Sequence, residues 1–224
     1  MTNSGPEPLI ELQQQLLGMA DAAASMVGDA VRALGEHDEL LADSVIARDD
    51  EVDQADFEIE GECVRLVAAR QSTGRELRLI ASILKVIADV ERVADYSLDI
   101  AKIALLLGRA REPCATNFQL MGELGQKMLR EAVAAFAHGD VEAAGQVVEM
   151  DREMDRLYHS QVQSLVEAME QNPQCVRTGV YLVLALRYLE RIGDHVCNVA
   201  ERVLYVAAGQ PARLRGDREP EAEP

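Results

Sequence analysis

The sequence predicts an all-α protein made of two tandem, internally duplicated three-helix bundles, with six long helices. Three observations carry that expectation. Apolar residues recur at steps of three and four, the chain repeats itself at a shift of about one hundred residues, and the breaks between helical stretches are few and short. Each has a physical reason.

Leu16, Met19, Ala23, Met26, Ala30 and Leu34 fall on one stripe of a helix, the spacing of an amphipathic element that buries one face. The breaks are Gly35 to Asp38, Gln71 to Gly74, Gly108 to Pro113, His138 to Asp140, Asn172 to Cys175, and Gly209 onward. They delimit helices over 7–35, 39–70, 75–107, 116–137, 141–170 and 177–208, and no strand-like alternation occurs between them. The polar, proline-bearing end GQPARLRGDREPEAEP reads as a disordered tail over 209–224.

A shift of 102 residues superposes Met26, Ala30, Asp38, Asp49 and Asp53 on Met128, Ala132, Asp140, Asp151 and Asp155, without a gap. A shift of 99 then superposes Arg78, Glu91, Arg92 and Asp95 on Arg177, Glu190, Arg191 and Asp194. Each half thus supplies three helices on short connections, and these close most simply as an antiparallel bundle. The expected units are 1–112 and 113–208, joined near Gly108 to Asn117.

Composition agrees and narrows the function. The chain is 48% hydrophobic with 15 Gly, 7 Pro and no Trp, a helix-forming inventory. Its formal charge is -17, from 39 acids against 22 bases. Such a chain repels phosphodiester backbones, so nucleic acid is excluded as a partner, whereas cations and basic surfaces are favoured. Cys63, Cys114, Cys175 and Cys197 form no CxxC pair and read as reduced core residues. The opening MTNSGPEPLIELQQQ is polar, and the longest apolar run, Val180 to Leu186, is far too short to span a bilayer. The expectation is a cytoplasmic protein that meets a membrane only through partners. Apolar character on nearly every face of 177–186 suggests a homodimer.

The candidate site residues are acids. Glu91, Asp95 and Asp99 recur at i, i+4 and i+8 on the third helix, and Glu190, Asp194 and Asn198 on the sixth. Like charges at that spacing destabilise a helix by roughly 0.2–0.5 kcal/mol per pair, so such a stripe asks for an external cation. Asp49 and Asp53 on the second helix share a stripe with Ala42, Val45 and Ile46, and Asp151 and Asp155 sit equivalently beside Ala144, Val147 and Val148. Neighbouring antiparallel helices bring these stripes together. The expected metal sites are therefore Asp49, Asp53, Glu91, Asp95 and Asp99 in the first half. In the second they are Asp151, Asp155, Glu190, Asp194 and Asn198. All are hard oxygen donors, suited to Mg, Mn, Ca or Fe, with Zn also open. The competing reading is a solvated face bridged by arginines such as Arg92 and Arg191. His159 shares the stripe of Asp151 and Asp155, whereas His195 points away from its patch, and His37 and His138 sit at helix ends.

The segment LRYLERIGDHVCNVAERV, Leu186 to Val203, resembles the ERIGD-x-x-x-N hallmark of the PhoU family. Arg48 to Ala101 resembles that family's first half in order and spacing, and the resemblance covers residues 10–208. It implies two three-helix bundles, with metal sites of iron or zinc, sometimes multinuclear, at the ExxxD motifs. It also implies negative regulation of the phosphate-starvation response. In that role the protein would be an adaptor between the phosphate ABC transporter, through a PstB-like ATPase, and a PhoR-like sensor histidine kinase. Two positions depart from the family pattern: Ala94 stands where Gly is frequent, and Ser72 where Pro is common. Two other classes stay open, a helical accessory protein of another transporter and a di-metal bundle enzyme. The second is disfavoured because no Glu-x-x-His occurs, and the chain is expected not to be an enzyme.

Overall fold

The computed structural model describes residues 7–70, 73–108 and 116–209, without the side chains of Glu7 and Arg70. Among these, seven α-helices account for nearly everything: α1 (Glu7–Glu36), α2 (Glu39–Ala47), α3 (Asp49–Arg70), α4 (Gly74–Leu107), α5 (Phe118–His138), α6 (Val141–Gln171) and α7 (Val176–Ala208). A 3₁₀ turn, Pro173–Cys175, joins the last two. Ser72, Cys114 and the tail beyond Gly209 lie outside the described residues.

One boundary differs from expectation. The helix predicted over 39–70 is interrupted at Arg48, where the N–H bonds to Val45 O at 3.2 Å, three residues back, and tightens the turn. The Arg48 guanidinium reaches α1, with Nη2 2.6 Å from Asp29 Oδ2. No Gly or Pro marks this kink; a tertiary ion pair sits on it instead. Elsewhere local chemistry sets the ends. Asp38 caps α2, accepting from Leu41 N at 3.0 Å, and its repeat partner Asp140 caps α6, accepting from Ala143 N at 3.0 Å. The residue before each cap is left-handed, His37 at φ 58° and Gly139 at φ 70°, so histidine occupies a conformation that favours glycine.

The tertiary arrangement follows from which stripes are apolar. In each half the three segments pack on one another, α1 with α2, α3 and α4, and α5 with α6 and α7. The halves then meet along two seams, α1 on α5 and α4 on α7. Helices α1, α4, α7 and α5 therefore form a closed ring of four, with α2–α3 laid outside one edge and α6 outside the opposite one. The buried apolar residues, from Leu12 to Val206, make one connected core that draws on both halves. Each repeat is a bundle by connectivity, and the two share their interior.

The α1–α5 seam is close because glycine permits it. A methyl group on Gly122 would lie 2.7 Å from Val31 Cγ2, and one on Gly28 would meet the Gln126 side chain at 2.5 Å. The α4–α7 seam is a crossing of repeat-equivalent helices. Tyr96 stacks on Tyr188 with ring centroids 5.6 Å apart, and Asp89 Oδ1 accepts from His195 Nδ1 at 2.9 Å and from Asn198 Nδ2 at 3.0 Å. Asp89 corresponds to Tyr188, and Tyr96 to His195, under the 99-residue shift. The contacts thus map onto each other, which places a pseudo-twofold axis between antiparallel α4 and α7.

Candidate functional site: two acidic helix faces

In the first half, the kink at Arg48 starts α3 with Asp49, Asp50 and Glu51, where the helix dipole favours negative charge. Asp49, Asp53 and Asp56 then step down one side of α3, facing Glu91 and Asp95 on α4. Their mutual proximity is visible in proton affinities. Burial, then the charges of Asp53 and Asp95, raise the Asp49 pKa above its ordinary 3.8, with Lys102 partly offsetting them. Glu91 is raised by burial and Asp95, against Arg92, with Asp53 and Asp56 adding to the rise. Asp56, which sequence reasoning passed over, is raised by burial and by Glu60 and Asp53. Its signal was present: it continues the Asp49, Asp53 stripe by three residues. Asp49 Oδ1 is buried and has no hydrogen-bond partner. Positive charge at this face comes from Arg92, with Nη1 2.6 Å from Asp95 Oδ2 and Nε 3.4 Å from Glu91 Oε2.

Asp99 sits elsewhere. Eight residues of helix rotate a stripe by roughly 80°, which carries Asp99 towards the α4–α7 seam. There it pairs with Lys102 at 3.3 Å, and its charge helps raise the Tyr188 phenol. Its equivalent Asn198 is on the same seam, bonded to Asp89. The structure thus brings Asp49, Asp53, Glu91 and Asp95 to one face and sets Asp99 and Asn198 at its margin. His195 lies on the seam, outside the acidic face as the sequence indicated.

The second half repeats the design with deeper burial. Asp151 and Glu190 are 4% and 5% exposed. Glu190 Oε1 meets Arg187 Nη1 at 2.9 Å, and Asp194 Oδ2 meets Arg191 Nη1 at 3.4 Å. Arg191 is held further by a hydrogen bond to Tyr96, the main cause of its raised pKa. Arg187 also lies 6.0 Å from the centroid of Tyr158 on α6. Asp151 Oδ1 lies directly against Gly193, so α6 and α7 meet at both points. His159 Nδ1 donates to Asp155 O at 2.7 Å, within its own helix.

One difference between the two faces governs how closely the helices approach. A methyl group on Gly193 would stand 2.9 Å from Asp151 Oδ1 and 3.3 Å from Met154 Cγ, so glycine is what admits Asp151 to α7. In the first half that methyl exists, as Ala94, which is fully packed, and Asp49 is only half-buried. The departure at Ala94 thus bears on the acid opposite, Asp49.

Among the described residues, no group of three or more His, Cys, Asp or Glu side chains converges tightly enough to hold an ion as placed. The donor chemistry nonetheless suits a hard cation at the first face, where a buried, partnerless carboxylate oxygen is surrounded by like charge. The thiols offer nothing comparable. Cys63, Cys175 and Cys197 are buried thiols, Cys175 Sγ donating to Ala168 O at 3.5 Å, and burial pushes the Cys63 thiol up to about 12.

Fold and faces together define a duplicated helical-bundle protein in which each repeat presents one acidic helix pair. The PhoU domain matches the chain twice, over residues 16–104 and 118–203, one match per bundle. A phosphate-specific transport system accessory protein PhoU homolog from Pseudomonas aeruginosa is 37% identical over 210 residues, 93% of this chain and 87% of that one. Its counterpart from Clostridium acetobutylicum is 31% identical, over 92% of this chain and 95% of its own. The crystal structure of PhoU from Pseudomonas aeruginosa superposes with a TM-score of 0.84 at 36% identity, covering 91% of this chain and 99% of that one. The phosphate transport system regulatory protein PhoU from Streptococcus pneumoniae superposes with a TM-score of 0.82 at 26% identity, covering 90% and 96%. The chain belongs to the PhoU family. Among the described residues no helix is long and apolar enough to cross a membrane.

Proposed function

We propose that this chain is an accessory regulator of a phosphate-specific transport system and a negative regulator of the phosphate-starvation response. In this reading it is an adaptor, not an enzyme, and it works in the cytoplasm. It couples a PstB-like transporter ATPase to a PhoR-like sensor kinase and holds the kinase in its phosphatase-favouring state. The supporting observation is that both PhoU-domain matches coincide with complete bundles, each carrying its own acidic helix pair. Deleting the gene should release a starvation-responsive reporter in phosphate-replete medium. A reporter equally silent with and without the gene refutes the regulatory reading.

The acidic faces are proposed to bind divalent or transition metal, with Fe, Zn, Mn and Mg as candidates. Asp49, Asp53, Glu91 and Asp95 would hold it in the first half, and Asp151, Asp155, Glu190 and Asp194 in the second. The metal would supply the positive charge that Asp49 Oδ1 lacks. The chain's part is to fix the donors on two rigid antiparallel helices. Arg92, Arg187 and Arg191, which neutralise the same acids now, would have to swing outward. Elemental analysis of the purified protein, with a thermal melt before and after chelation, tests this. Metal present and a lower Tm after stripping support it; no metal and no shift assign the faces to arginine pairing and docking alone.

A further inference from the structure

The outermost helix of the first bundle carries a surface that neither the core nor the acidic face explains. Phe57 on α3 is 71% exposed, whereas the other two phenylalanines, Phe118 and Phe136, are buried. Val64 and Val67 follow seven and ten residues later, 57% and 40% exposed, on or beside the same strip of helix. Gly61 and Ala68 complete the strip with little bulk, leaving a shallow apolar ridge. Around it α3 carries eight acids against two arginines, and one of these, Arg65, is held by Glu62 at 2.6 Å.

The second bundle lacks this surface. Phe57 corresponds to His159, whose ring turns back onto Asp155 O, and Val67 corresponds to Met169, which packs on Gly179. An exposed phenylalanine within an acidic helix, on one repeat only, is a feature of partner recognition, since large apolar side chains clustered on a surface mark contact sites.

We propose that this face of α3 docks a basic amphipathic helix of a partner protein. The partner lays an apolar ridge across Phe57, Val64 and Val67 and sets lysine or arginine over Glu58 and Glu60. Charge decides the occupant. A second copy of the same face would bring two strongly acidic helices together, and an anionic membrane or nucleic acid would be repelled equally. A helix fits because the ridge is itself straight and helical, so a second helix can lie along it with its apolar stripe in contact. The proposal rests on the adaptor reading for the existence of a partner, but the two fail separately. The test below uses purified chain and peptide, whereas the adaptor reading stands or falls with the gene-deletion reporter.

The test is fluorescence anisotropy of a labelled amphipathic leucine–lysine peptide titrated with the full chain, at low and high salt. Phe57 and Val64 are exposed, so F57S/V64S leaves the fold intact. It should weaken binding about 30-fold or more, the loss of an aromatic anchor. V166S, on the corresponding strip of α6, should change nothing, and added salt should weaken the wild type. Equal binding by wild type and F57S/V64S overturns the proposal, as does no saturable binding by the wild type. A dimer in sedimentation that F57S/V64S dissociates overturns it in favour of a self-interface. Flotation with phosphatidylglycerol vesicles that F57S/V64S abolishes overturns it in favour of a membrane.

Discussion

Replacing Gly193 by Ala tests how the second acidic face is built. On an unobstructed helix the exchange stabilises by about 0.8–1 kcal/mol, because glycine carries the larger conformational cost. Here the new methyl would lie 2.9 Å from Asp151 Oδ1 and 3.3 Å from Met154 Cγ. Asp151 is 4% exposed and Met154 fully buried, so neither has open space to retreat into. Overpacking of this kind costs about 1–3 kcal/mol, so the net is about 0–2 kcal/mol of destabilisation. For a chain of 224 residues that is a Tm decrease of up to about 8 °C, at roughly 2–4 °C per kcal/mol. Gly145, in the same half, has nothing within 4 Å of a built methyl, and Gly145→Ala should raise stability by the full propensity term. Urea melts of both variants at equal m-values give the contact term by difference. If Gly193→Ala stabilises as much as Gly145→Ala, Asp151 is not packed on α7 and the asymmetry with Ala94 has no structural basis.

Four further outcomes follow from the same structure. Gly122→Ala should cost about 1–3 kcal/mol in a urea melt because the methyl meets the stiff Val31 side chain at 2.7 Å, whereas Gly28→Ala meets only the swinging end of Gln126 and should cost less. His37→Gly should stabilise by about 1 kcal/mol in the same assay, by relieving a left-handed histidine where the other repeat has Gly139. Asp89→Ala and His195→Ala should show a non-additive cycle, with Asp89→Ala costing about 1–2 kcal/mol as two cross-seam hydrogen bonds are lost. For Asp49 the sign runs opposite to an ion-paired carboxylate. Its pKa is raised on folding, so the native state binds the extra proton, and metal-free stability increases as pH falls through the raised value towards 3.8. Asp49→Asn should therefore stabilise the metal-free protein at neutral pH and lose that advantage in acid, as followed by melts across pH.

The helical segments were legible because each half-turn of apolar residues repeats over long stretches, and Asp38 and Asp140 announce their helices by chemistry alone. The kink at Arg48 was not, since no Gly or Pro marks it and the ion pair that sits on it reaches Asp29, nineteen residues away. Pairing of the acidic stripes across α3–α4 followed from antiparallel neighbours. Asp99 and Asn198 fall towards the α4–α7 seam because i+8 spacing drifts around a helix, and no local signal says where the next helix ends its contact. The ring of four helices was equally hidden: the stripe that closes a three-helix bundle and the stripe that joins two of them carry the same residue types. The Asp89–His195 bond is a purely tertiary event, although the 99-residue shift already set Asp89 against Tyr188 and Tyr96 against His195.

Because both repeats bury their apolar residues in a single interior, packing among the described residues sets how the two halves sit together. The outer edges, α3 on one side and α6 on the other, are held apart by the ring as by a strut of fixed length. Two proteins seated on those edges would face one another at a separation set by helix diameters, about 8–10 Å per packed layer, and not by the reach of a flexible tether. The local concentration of one for the other is then a constant of the architecture. Substitutions that loosen the ring would blur that spacing before they abolished either contact.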